Sequence, residues 1–315
     1  MTRWGTVTTV KAPLGAILDF ASWHLELGAH RLYIYLDEEA PETQAVLKAH
    51  PRIRVITTDA AYWAKRKGRP EMHQARQGLN ARHANNRKPE VDWLAHIDVD
   101  EFLLPDTPVA EQLARLPAEA LCARLRPVEA LAPGDGVAPG ETAFKAFHLD
   151  QRDRQRAAEA CFPTWGRHLS GGFLSHVAGK LFFRPTKGLQ IRIHNVRLEG
   201  ESNPGQVELP GLPLGHFHAA DWAHFIAAYR FRLARGSYRA ELKPQVRQPG
   251  AVNLHDLLRG IEAEGGTPAL RAFFDELCVA DRGLCDRLQR HGLLRRVPMD
   301  LPALRARHFP GINAA

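Results

Sequence analysis

The chain has four cysteines without a CxxC pair, no internal repeat, no low-complexity tract and no long apolar run. Each absence excludes something. The spacing of Cys122, Cys161, Cys278 and Cys285 supports neither a zinc knuckle nor a thioredoxin-like pair. Cys278 and Cys285 lie two turns apart on one face of a helical pattern, too far for a direct disulfide. All four read as reduced, buried thiols. No stretch approaches the roughly 18–20 apolar residues that a membrane helix needs. Met1 to Lys11 lacks the apolar run of a signal peptide. The sequence therefore reads as that of a soluble cytoplasmic protein. Its basic surface leaves peripheral association with the inner face of a membrane open.

What is present is ordinary globular composition. Hydrophobic residues make up 44% and charged residues 24% of 315 residues, which excludes a disordered chain and allows a substantial core. That length means one large domain or two modest ones. The net charge is +7, carried by nine lysines and 33 arginines. One segment, residues 61–88, holds eight basic residues against the single acid Glu71 and by itself accounts for that excess. A helix there places His73, Gln77 and Asn80 on one face, with arginines able to approach phosphate.

The first hundred residues alternate strand and helix patterns. Thr6–Lys11, Arg31–Leu36, Arg52–Thr57 and Trp93–Ile97 read as strands. Between them run helices opened by Pro13, over Pro41–His50 and over Glu71–Asn86. This alternation predicts parallel strands with right-handed crossovers. Ligands in such sheets bind beyond the carboxyl ends of the strands. Three predicted strands end there in polar residues: Lys11, Asp37 and the pair Asp98 and Asp100. Further on, Leu121–Arg126 reads as a strand, and Lys180–Arg184 with Leu189–His194 as a hairpin. Glu199–Pro213, rich in proline and glycine, reads as a long mobile loop able to close over a ligand. From Asp221 onward the pattern is helical.

The densest chemistry is in Trp93-Leu94-Ala95-His96-Ile97-Asp98-Val99-Asp100-Glu101-Phe102. One carboxylate at such a strand end can reach a sugar or ribose hydroxyl. The other can bind Mg²⁺ or Mn²⁺, which favour one or two protein carboxylates plus substrate phosphate oxygens. This block resembles the D-x-D region of GT-A-fold glycosyltransferases, closest to the family-2-like group with its D-V-D-E-F motif. The opening strand, Trp23-His24 with Leu27-Gly28, Leu32–Tyr35, and the later His216-Phe217 and Phe225 are similar in layout to that group. The chain differs in having Ala12-Pro13 after its first strand, where the group has Asn-Glu. It has Leu36-Asp37 where the group has Asp-Asn, and it shows no Trp and Phe-Gly element near Pro127–Leu131.

The resemblance implies an α/β GT-A fold: a Rossmann-like mixed sheet flanked by helices over 1–235, with a C-terminal helical extension over 236–315. It implies a metal-dependent, inverting transfer of sugar from a nucleotide-diphosphate donor, UDP-sugars first among them, to a glycan or other hydroxyl acceptor. Asp98 and Asp100 would hold Mn²⁺ or Mg²⁺, with Asp98 also contacting ribose or donor sugar. Lys11 and Asp37 would lie at the nucleotide, and the helix face that bears His73 and Gln77 could meet it as well. His216 would complete the metal site, with His218 and His194 as alternatives. An inverting reaction also needs a carboxylate base. Glu129, nearest to a predicted strand end, leads Asp135, Glu141 and Asp150. Two other readings stand beside it: a metal-dependent nucleotidyltransferase or phosphohydrolase, which also places paired carboxylates on a metal, and a non-catalytic nucleic-acid-binding protein using the basic patch of residues 61–88. Against the second, no nucleic-acid module is legible and aromatic residues do not interleave with the basic ones.

Overall fold

The computed structural model describes residues 1–235 and 252–312. Residues 236–251 and 313–315, which open and close the expected C-terminal extension, lie outside the described residues. The chain begins with β1 (Trp4–Val10), α1 (Leu14–Glu26), β2 (Arg31–Leu36), α2 (Pro41–Ala49) and β3 (Ile53–Thr57). It continues through α3 (Ala60–Ala64), α4 (His73–Asn86), β4 (Trp93–His96), β5 (Glu101–Leu103), α5 (Val109–Ala114) and β6 (Cys122–Leu125). Then come β7 (Pro127–Ala130), β8 (Glu141–Lys145), α6 (Gln151–Cys161), β9 (Lys180–Phe183), β10 (Gln190–Ile191) and β11 (Val196–Leu198). The last elements are β12 (Glu201–Ser202), β13 (Val207–Glu208), β14 (Leu214–His216), α7 (Trp222–Arg235), α8 (Leu254–Cys278), α9 (Arg282–Arg290), β15 (Leu294–Pro298) and α10 (Leu301–His308).

The chain divides into two compact units. One contains Met1–Arg126, Ala178–Leu214 and Asp300–Ala315; the other contains Pro127–Val177 and Gly215–Met299. This division crosses the one expected at residue 235.

The first unit is built on a seven-stranded sheet of order β13-β6-β9-β4-β1-β2-β3. β3, β2, β1 and β4 are parallel, as the alternating pattern predicts. β9 runs antiparallel to both β4 and β6, so the sheet is mixed. The expected class, a mixed sheet flanked by helices, is the one observed. β1 is buried along its whole length, which explains its β-branched run. Gly5 within it is required: a Cβ would come 2.3 Å from the Arg31 carbonyl oxygen.

Helix α1 follows Pro13 and ends before Gly28, whose φ of 90° suits glycine. Its inner face does more than fill space. The Trp23 indole donates to the Leu103 carbonyl at 2.7 Å, and His24 Nε2 accepts the Leu103 N–H at 3.4 Å. Complete burial pushes the His24 pKa down to about 4, so the ring stays neutral and can accept. α1 thereby fixes the strand that follows the two aspartates.

Two expectations are corrected here. β9 and β10 do not form a hairpin. Both edges of β9 are taken by β4 and β6, and β10 pairs instead with β11 in a three-stranded sheet with β12. Nor is residues 199–213 a long unstructured loop. It contains β12 and β13, with β13 parallel to β6. The Leu209 N–H donates to the Arg124 carbonyl at 3.0 Å, and the Gln112 side chain donates to the Gly211 carbonyl at 2.9 Å.

The second unit joins β7, β8 and β15 in an antiparallel arrangement. Its apolar core includes Phe162, Phe225, Tyr229, Leu258, Phe273 and Phe274. α8 breaks at Gly266, which has a φ of 61°, two residues before Pro268. All four cysteines are buried, unpaired thiols. No helix among the described residues is long and apolar enough to cross a membrane.

Candidate active site

The site is assembled at a sheet edge. From β1 the chain steps outward to β2 and β3, then returns to the other side of β1 for β4. That reversal makes the β1–β4 boundary a switch point, where open α/β sheets form ligand crevices. The register puts Val10 beside Leu36 and Val7 beside His96. Lys11, Asp37 and Asp98, each following a strand, therefore stand along one edge, as the sequence predicts.

Asp98 lies in the short turn between β4 and β5. Its backbone N–H donates to Glu101 Oε2 at 2.7 Å, which closes that turn. The Gln77 amide of α4 donates to one carboxylate oxygen of Asp98. The other oxygen receives the Lys180 ammonium at 2.7 Å. Lys180 also lies 3.4 Å from Glu101. Burial alone would pull its pKa down, but the charges of Asp98, Glu101 and Asp100 outweigh it and raise the value. The ammonium is therefore a permanent cation beneath the acidic turn.

Asp37 ends β2 with its side chain 1% exposed. Arg76 Nε lies 2.9 Å from both carboxylate oxygens, and its Nη2 lies 2.7 Å from one of them. Arg69 approaches at 3.2 Å and His73 at 3.5 Å. Burial would raise the Asp37 pKa, yet the His73 and Arg76 hydrogen bonds and the Arg76 and Arg69 charges bring it to about 2.

That depressed value has a consequence for stability. The contribution of Asp37 is complete above the ordinary carboxylate range and is lost as pH falls toward about 2. Asp37→Asn is expected to lower the urea midpoint at pH 6, and the gap to the unsubstituted protein should narrow steadily between pH 5 and about 2. A pH-independent gap in urea titrations would contradict the assignment.

The predicted polar face of α4 is mostly spent inside the protein. Gln77 holds Asp98 and is 4% exposed. Asn80 is fully buried, donates to Thr9 of β1 at 3.0 Å and accepts from Tyr62 at 2.7 Å. His73 remains half-exposed beside Asp37. Part of the neighbouring basic segment is committed as well. Arg76 and Arg69 hold Asp37, and Arg66 stacks 3.6 Å over the Tyr62 ring. Lys65, Lys67, Arg87 and Lys88 are exposed. Lys11 forms an exposed pair with Glu38 at 2.6 Å. Beyond the ends of β2 and β3 lies a depression of about 490 Å³, lined in part by Glu38, Thr58, Asp59, Trp63, Gly68 and Arg69.

The other predicted residues come from later elements. His194 is in the first unit, where its Nδ1 lies 2.9 Å from the Gly179 carbonyl. His216 and His218 belong to the second unit, their rings 5.1 Å apart. Glu129, also in the second unit, is 3% exposed and lies 3.3 Å from Lys145. It accepts the backbone N–H groups of Leu174 and Ser175 at 3.1 and 2.7 Å. Burial would raise its pKa, but the Lys145 charge and the Ser175 hydrogen bond lower it. Asp135 accepts the Arg282 N–H at 2.9 Å, and Asp150 caps α6. Glu141 opens β8.

Among the described residues, no group of three or more His, Cys, Asp or Glu side chains could hold a metal ion by itself. The donor chemistry at the β4–β5 turn does suit a hard cation that draws its remaining ligands from a substrate. Asp98 and Asp100 provide carboxylate oxygens, and Mg²⁺ and Mn²⁺ commonly complete such a set with phosphate oxygens and water.

Sequence reasoning missed Lys180 and the role of Arg76. The signal for Lys180 was a lysine opening an otherwise apolar strand, K-L-F-F. For Arg76 it was a position beside Gln77 on the same helix.

Paired carboxylates at a switch point, with arginines gathered on a second strand end, lie where open α/β sheets form ligand crevices. Residues 8–202 match the sequence profile of glycosyltransferase family 92. That is more than half of the chain, and the chain belongs to this family. The membership upholds the expectation of a glycosyltransferase and names family 92, where the sequence motif pointed to the family-2-like group. Among solved structures, the chain is similar to the galactosyltransferase LgtC in complex with donor and acceptor sugar analogues, with 12% identity and a TM-score of 0.29. The alignment covers 58% of each chain. An active-site mutant of LgtC is similar at 13% identity and a TM-score of 0.29, over 57% of each chain. The protein thus spans under two thirds of the length of these chains. No curated protein matches the sequence.

Proposed function

We propose that this protein transfers a glycosyl group from a nucleotide-diphosphate sugar, a UDP-sugar first, to a glycan or other hydroxyl acceptor, with inversion at the anomeric carbon. The observation that carries this reading is the placement of Asp98 and Asp100 at the switch point beside the Asp37–Arg76 cluster, in a chain of glycosyltransferase family 92.

Each part has a task. Asp98 is held by Gln77 and Lys180 and would contact ribose or donor sugar. Asp100 and Asp98 would hold Mg²⁺ or Mn²⁺, with substrate phosphate oxygens and water completing the set. Such an ion, when bound, offsets charge developing on the departing diphosphate. Asp37 keeps Arg69, His73 and Arg76 in place at the nucleotide end. The nearby depression, rimmed by Glu38 and Asp59, suits base and ribose hydroxyls better than phosphate.

The test is product identification. The full chain is incubated with UDP-, GDP- and dTDP-sugars, Mn²⁺ or Mg²⁺, and a panel of glycan acceptors. Release of UDP, with an acceptor-linked sugar of inverted anomeric configuration by NMR, is expected. Release of pyrophosphate or inorganic phosphate instead would assign a nucleotidyltransferase or phosphohydrolase. A retained anomeric configuration would overturn the inverting part alone.

A further inference from the structure

The acidic turn after β4 already contains a cation. The Lys180 side chain is 1% exposed and its ammonium lies 2.7 Å from Asp98. Glu101, at 3.4 Å, is also almost fully buried, whereas the Asp98 side chain is 31% exposed. The cluster is therefore buried at Lys180 and Glu101 and part-exposed at Asp98. Lys180 has little freedom to leave. It begins β9, which is bonded on both edges, to β4 and β6. The preceding Gly179 has a φ of 73°, and its carbonyl meets His194 Nδ1 at 2.9 Å. The chain thus holds the ammonium in place at its backbone.

Two consequences follow from charge and geometry. First, an ammonium at hydrogen-bond distance fixes the Asp98 carboxylate, one oxygen on Lys180 and one on Gln77. Second, a fixed positive charge within electrostatic reach of Asp100 opposes the approach of another cation. We propose that Lys180 is the positioning residue of the Asp98–Asp100 pair. It is a built-in counter-cation that orients Asp98 and keeps divalent-ion affinity at Asp100 low until substrate phosphates add their oxygens. The last clause rests on the proposed donor chemistry; the first two do not.

The experiment uses the full chain without nucleotide sugar. Mn²⁺ binding is followed by electron paramagnetic resonance, and stability by urea unfolding. The variants are Lys180→Met, Asp98→Asn and the double variant. Lys180→Met should be destabilised, because it strands buried carboxylates. Asp98→Asn should recover part of that loss, as a coupled pair does in a double-mutant cycle. Comparing the double variant with Asp98→Asn, loss of the lysine should tighten Mn²⁺ binding about tenfold, because one opposing charge is gone. This readout does not depend on Lys180→Met folding by itself. Unchanged or weaker Mn²⁺ binding in that comparison overturns the proposal. So does the absence of any recovery by Asp98→Asn, or a failure of every variant to bind Mn²⁺.

Titrating UDP against each protein separates this result from the broader reading. Tighter Mn²⁺ binding without UDP binding upholds the Lys180 role and removes UDP-sugars as the donor. UDP binding with unchanged Mn²⁺ affinity does the reverse.

Discussion

Glu129→Leu is expected to destabilise the protein by about 3–5 kcal/mol, the usual cost of stranding one partner of a buried ion pair. Glu129 and Lys145 face each other across β7 and β8. Both are almost completely buried. The Lys145 ammonium also donates to the Gly172 carbonyl at 2.7 Å and the Leu277 carbonyl at 2.8 Å. Glu129 in turn takes two backbone N–H groups from Leu174 and Ser175. The pair therefore ties the β7–β8 ladder to the Gly172–Ser175 turn and to the end of α8. Removing the carboxylate leaves an ammonium with only carbonyl partners and two N–H groups with none of their present acceptors.

The same environment argues about catalysis. A base must take up a proton during the reaction, and its pKa is best placed near the working pH. Glu129 is held ionised by Lys145 and by backbone hydrogen bonds, with its pKa below the ordinary value. Its surroundings favour a structural pin. The milder substitution Glu129→Gln separates the two roles. As a pin, it should lower the urea midpoint yet keep sugar transfer near its original rate at temperatures where the protein is folded. As the base, it should keep most stability and lose transfer by a factor of about 10²–10⁴. Adding Lys145→Met to Glu129→Leu should cost less than the two single effects combined, because the second change removes the stranded charge.

Much of the first unit could be read from the sequence because its periodicities are local. β1 to β4, α1, α2 and α4 carry their own patterns, and the strand ends delivered Lys11, Asp37 and Asp98 to one edge. What could not be read was set at long range. A lysine 82 positions from Asp98 becomes its partner only when β9 enters the sheet between β4 and β6. The hairpin expected at β9 and β10 failed for the same reason, since local turn signals say nothing about which edges are already occupied. α6 escaped notice because Gln-Arg-Asp-Arg-Gln-Arg opens it with no apolar stripe. Its start is set by the Asp150 cap, which accepts the N–H groups of Arg152 and Asp153. On α4 the polar face was legible but its purpose was not. Gln77 and Asn80 face the sheet edge, where each meets a polar partner, and only His73 is left half-exposed.

The two aspartates should separate cleanly in mutational effect. Asp100→Ala is expected to reduce sugar transfer by about a thousandfold or more, on the scale of losing a group that stabilises transition-state charge. Its cost in stability should be the smaller of the two, because the Lys180 ammonium and the Gln77 amide keep Asp98 as their acceptor. Asp98→Ala should lose comparable activity and also stability, about 2–4 kcal/mol, because Lys180 and the Gln77 amide are left without their main acceptor. The measurements are initial rates with a UDP-sugar and Mn²⁺, and urea midpoints for the same preparations. Full activity in Asp100→Ala would remove this turn from the chemistry. Equal stability losses in the two variants would mean that the Lys180 contact carries no more weight than the exposed side of the turn. The contrast matters because one motif then serves two purposes. Under the proposed function, Asp98 ties the turn to Lys180 and Gln77 while Asp100 serves the donor.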